Sequence, residues 1–84
     1  MPRFVVESYS SGAGIDEARE RARRTAELGG GVTYLRTMFL PADETVLHVF
    51  DAPSAEALAE AGHSAALPFQ RIVEAVEASG PSSG

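Results

Sequence analysis

The chain is 84 residues long, has a formal net charge of −5 and contains no cysteine. At this length it forms one domain that buries only roughly 60% of the surface its unfolded chain exposes, so a partner subunit would add stability. Without cysteine there is neither a disulfide framework nor a thiolate metal site, and the acidic balance argues against a general nucleic-acid binder, whose phosphate contacts need a basic face.

The N-terminal MPRFVVES lacks the apolar region of a signal peptide, and no later run is long enough to span a membrane; together these predict a cytoplasmic protein with no membrane partner. RFVVESY (Arg3 to Tyr9) alternates, with Phe4, Val6 and Ser8 on one side and Val5, Glu7 and Tyr9 on the other, as a strand does. SSGAG breaks it. From Asp16 to Leu28, Ile15, Ala18, Ala22 and Ala26 recur at spacings of three and four, and Asp16 and Glu17 sit in the first turn, where the helix dipole favours negative charge. This predicts an amphipathic helix. Gly29, Gly30 and Gly31 end it, because glycine adopts the left-handed conformation that closes many helices. Val32 to Leu40 and Thr45 to Asp51, rich in β-branched and aromatic residues, flank PADE and read as a β-hairpin. Ser54 is placed to cap a second helix running to about Ser64, with Ala55, Leu58 and Ala61 inward. Leu67-Pro68 stops the chain before a last strand, Gln70 to Glu77. The domain spans residues 1–78; SGPSSG, residues 79–84, has the composition of an expression-tag remnant and is set aside.

The order β-α-β-β-α-β predicts an α+β, ferredoxin-like fold, a four-stranded antiparallel sheet with both helices on one face. In that topology the first strand lies between the third and the fourth. With Phe4, Val6, Leu47 and Val49 facing the helices, Glu7 and His48 project from the helix-free face, joined by Tyr9, Tyr34, Arg36, Met38, Phe50 and Glu74. Val5, Tyr34, Met38, Val46, Phe50, Ile72 and Val76 are expected to form an apolar patch there. Such patches on small domains mark interfaces, which predicts a homodimer through the helix-free face.

FVVESYSSGAG near the start, the FDAPS turn and ALPFQRIVEAVE near the end resemble a family of small bacterial ferredoxin-like proteins, largely of unknown function, some of them nickel-binding. The similarity runs from about Phe4 to Val76. It implies a protein that binds or sequesters a divalent metal, nickel or a related transition metal. It carries over two candidate metal ligands: Glu7, matching the family's first-strand glutamate, and His48, where relatives often have another polarisable residue such as cysteine. His63, late in the second helix, is a third candidate. Tyr9 departs from the family, which has a basic or histidine residue after that glutamate.

Other readings stand beside this one. Glu7 and His48 also suit a carboxylate–imidazole hydrogen bond buried at a dimer interface, and His63 an exposed helix-end histidine. Imidazole and carboxylate without sulfur fit nickel, zinc or copper alike. A small-molecule-binding protein or enzyme of the dimeric α/β-barrel type would instead enclose a pocket lined by Tyr9, Tyr34, Arg36, Met38, His48 and Phe50, with His48 as base and Arg36 holding an anion. A structural interaction module is the third class. No serine–histidine–acid constellation assembles from spacing, so no catalytic residue is assigned. Arg19, Arg21, Arg23 and Arg24 read as a solvated helix face with Glu17–Arg21 and Glu20–Arg24 pairs. Gly12-Ala13-Gly14 precedes a helix, where a phosphate could be cradled, but it lacks the dinucleotide fingerprint and the P-loop lysine and reads as a loop.

Overall fold

The computed structural model describes residues 1–76. Glu77, the expected end of the last strand, and the segment 79–84 lie outside the described residues. The elements are β1 (Arg3–Tyr9), a single 3-10 turn (Gly12–Gly14), α1 (Ile15–Leu28), β2 (Thr33–Leu40), β3 (Thr45–Asp51), α2 (Ala55–Ser64) and β4 (Arg71–Ala75). The sheet order is β2-β3-β1-β4 with every neighbouring pair antiparallel. This is the ferredoxin-like α+β arrangement, with β1 between β3 and β4 as the sequence implies.

Local chemistry sets the element ends. Ser54 accepts a hydrogen bond from the Ala57 amide at 3.1 Å and starts α2. That helix ends in a Schellman closure: the Leu67 amide donates to the Gly62 carbonyl at 2.8 Å and the Ala66 amide to the His63 carbonyl at 3.1 Å. Ala66 takes the left-handed position, φ 58°, that glycine usually fills. At the end of α1 the glycines act differently from expectation. Gly29, the cap, has extended backbone with φ −102°, and its value is closeness: a Cβ there would meet the Ala61 Cβ at 2.7 Å. The left-handed glycine is Gly31, with φ 77°. The PADE turn closes through the Asp43 amide to the Leu40 carbonyl at 3.2 Å.

Both helices cover one face. Phe4, Val6 and Phe50 from the sheet pack with Ala22 of α1, Leu58 and Ala61 of α2, and Leu67, all buried. Each large apolar side chain buried there stabilises the fold by roughly 1.5–3 kcal/mol. The register decides which face each strand residue takes. Phe4 stands opposite Phe50, Val6 opposite His48 and Ser8 opposite Val46, so these six share the helix-covered face. Glu7 stands opposite Leu47 on one side and Arg71 on the other, on the helix-free face. The expected facing of β3 is therefore corrected: Val46, His48 and Phe50 point to the helices, and Leu47 and Val49 away from them. Antiparallel partners share a face, so a slip of one residue inverts every side chain of a strand.

Candidate functional site

His48 sits at the centre of the molecule with 0% of its surface exposed. Its Nδ1 lies 2.8 Å from Thr37 Oγ1, its cross-strand partner on β2, and Thr37 Oγ1 lies 2.5 Å from the Tyr34 hydroxyl. Residues three apart in a regular strand point to opposite faces, yet Tyr34 and Thr37 share one. A bulge in β2 between Tyr34 and Arg36 supplies the extra residue that turns both toward the helices. The other ring nitrogen, Nε2, is buried without a hydrogen-bond partner. The proton arrangement follows from comparing two unsatisfied groups. With Nδ1–H donating to Thr37 and Thr37 donating to the hydroxyl of half-buried Tyr34, Nε2 keeps a bare lone pair. The reverse direction would bury an unpaired N–H, the rarer and costlier orphan. Burial pushes the imidazole from its usual 6.5 down to about 4, so His48 is neutral at pH 7.

The structure does not bring the three expected ligands together. Glu7 lies on the opposite face of the sheet from His48, and its carboxylate receives two hydrogen bonds from Arg71, at 3.1 and 3.3 Å. His63 is exposed in the last turn of α2, with its ring 5.6 Å from that of Phe69. Glu60, one helical turn earlier, is exposed as well. Among the described residues no group of three or more His, Asp and Glu side chains is arranged to hold a metal ion.

The expected patch and pocket are likewise divided between faces. Tyr34, His48 and Phe50 belong to the helix-covered side, Tyr9, Arg36 and Met38 to the open side, so one pocket does not contain them. Val46 and Phe50 are fully buried, and Ile72 pairs with Val6 on the helix side. The open face instead presents Val5, Met38, Leu40, Leu47 and Val73, with Met38 and Leu40 each 42% exposed. On α1 the pair Glu17–Arg21 forms as expected at 2.7 Å, whereas Glu20 pairs with Arg23 at 2.9 Å rather than with Arg24.

A family model described as "Nickel responsive protein SCO4226-like" matches residues 4–75. The chain belongs to that family. The SCO4226-like fold is seen in the crystal structure of SCO4226 from Streptomyces coelicolor A3(2), which superposes with a TM-score of 0.71 at 17% identity, covering 92% of this chain and 99% of that one. At that identity the likeness establishes the shared fold. No curated protein matches the chain. Within this SCO4226-like domain, the Thr37 and Tyr34 partners of His48 are what a reading of the sequence misses. A histidine inside an apolar strand asks for a hydrogen-bonding neighbour, but the bulge that aligns both partners has no glycine or proline to announce it.

Among the described residues no helix is long and apolar enough to cross a membrane.

Proposed function

We propose that the protein binds a divalent metal ion of the nickel type on the exposed side of α2, through His63 and Glu60. The single observation that carries this is the accessibility of His63: it is the one imidazole among the described residues that an ion reaches without entering the core, and it has a carboxylate one turn away. Membership of a family described as nickel responsive supports the choice of metal, and a nitrogen–oxygen donor set suits nickel. Water and donors from a second molecule complete the coordination. An ion at His48 would be enclosed by Val6, Phe50 and other apolar groups with one neutral donor, and the cost of its dehydration would go unmatched. Glu7 is engaged by Arg71. Calorimetric nickel titration of chain lacking residues 79–84 tests the assignment. His63→Ala should weaken nickel binding at least tenfold and Glu60→Gln a few-fold, while His48→Gln leaves it unchanged; full binding by His63→Ala would overturn it.

The protein acts as a homodimer joined through the open sheet face in this reading. Met38, Leu40 and Val73 expose large apolar surface there, and a patch of this kind on a small domain is covered by a partner. Sedimentation equilibrium at micromolar concentration should return a dimer for the parent chain and a monomer for Met38→Glu. A monomeric parent would reject the interface.

A further inference from the structure

His63 stands in the last turn of α2 with its side chain exposed, and its ring nitrogens have no hydrogen-bond partner among the described residues. An unsupported histidine at a helix end moves among staggered rotamers, and a site that needs one of them loses that freedom when it binds. Here the imidazole has a support. Its ring centre lies 5.6 Å from that of Phe69 with the planes 53° apart, a tilted arrangement inside the roughly 4.5–7 Å range over which aromatic pairs attract.

The support is itself fixed. The Schellman closure at the end of α2 turns the chain back, buries Leu67 and brings Phe69 beside the helix. A Cβ built on Gly62 would lie 3.4 Å from Phe69 Cε1 and 3.8 Å from Leu67 Cδ2, so the phenyl ring rests over the bare backbone of the residue preceding His63. Half-buried Phe69 also packs against the buried core cluster. On either side of it the backbone is held, by the ring of Pro68, which fixes its own φ, and by the Gln70 amide, which donates to the Glu7 carbonyl at 2.6 Å. A phenyl ring held at these points keeps one orientation, and the imidazole that leans on it is oriented in turn.

We infer that Phe69 is a positioning residue for metal capture: its phenyl ring holds the His63 imidazole in one rotamer on the surface of α2, ready for a divalent ion of the nickel type. This rests on the reading of His63 as a metal ligand and adds that the ligand is preorganised from outside its own helix; Phe69 itself does not touch the ion. The test uses the full chain. In the metal-free protein the His63 Hδ2 and Hε1 resonances should be displaced by the phenyl ring current, return to free-histidine positions in Phe69→Leu, and stay displaced in Phe69→Tyr. Calorimetric nickel titration well below the melting temperature of each variant should show Phe69→Leu binding about fivefold more weakly, through the lost preorganisation of one side chain, and Phe69→Tyr binding as the parent does. Leucine keeps an apolar group against the core and tyrosine keeps the ring. Undisplaced His63 resonances in the parent would overturn the inference at its ring contact. Parental nickel affinity in Phe69→Leu, with binding lost in His63→Ala, would overturn the positioning role and leave His63 a ligand. Full binding by His63→Ala would reject the ligand reading, and the positioning role with it.

Discussion

His48 Nδ1 and Thr37 Oγ1 lie 2.8 Å apart across the β2–β3 ladder, in the layer between sheet and helices. This contact anchors a neutral imidazole in the core and makes the fold sensitive to acid. The folded imidazole protonates near 4 and the unfolded one near 6.5. Between these values the unfolded chain binds the proton and the folded chain does not, so stability rises with pH across that window and is flat above it as far as His48 is concerned. The contribution is fully present above 6.5 and lost as pH falls toward 4, about 3 kcal/mol in all. Urea unfolding at pH 7 and at pH 4.5 should show the drop. His48→Gln should be less stable at pH 7 but show a smaller drop, and an unchanged drop would assign the effect to the carboxylates instead.

Thr37→Val keeps the side-chain volume and removes the bridging hydroxyl. His48 Nδ1 then loses its partner inside the core, at a cost of roughly 1–3 kcal/mol. Tyr34→Phe removes only the outer end of the chain, on a residue that is half-buried where His48 is fully buried, and should cost about 1 kcal/mol or less. Denaturant midpoints rank the two variants. Equal costs would mean that Thr37 does not bridge them.

At Gly29, alanine would place its Cβ 2.7 Å from the Ala61 Cβ and 2.9 Å from Val32 Cγ2. Neither neighbour has a flexible end that can swing away, so α1 and α2 must separate. The expected loss is about 1–3 kcal/mol, read by thermal or urea unfolding. The same change at Gly30, which has nothing within 4 Å, should be nearly neutral and serves as the control.

Ala66 offers the opposite case. Its φ of 58° costs an alanine about 1–2 kcal/mol that glycine does not bear. Glycine has greater freedom to lose on folding, so Ala66→Gly should stabilise by about 0.5–1 kcal/mol. A higher melting temperature checks this; a lower one would show that the Ala66 methyl contributes packing.

The sequence by itself determined the order of elements and nearly all their limits, because those follow from local properties: the alternation of Arg3 to Tyr9, the spacing of Ala18, Ala22 and Ala26, the capping hydroxyl of Ser54. The family resemblance also rested on local motifs and is upheld by a match over residues 4–75. The faces of β1 were legible as well, since polar Glu7 and Tyr9 alternate with apolar Phe4 and Val6. The facing of β3 was not. In TVLHVFD both parities offer apolar side chains, so periodicity weighs Leu47 and Val49 against Val46 and Phe50 almost evenly. Only the tertiary structure decided between them, by setting Val6 against His48 and filling the space beneath the helices with Phe50. The larger ring buries more apolar area there, and the β2 bulge delivers Thr37 and Tyr34 to meet the polar group that this register carries inside.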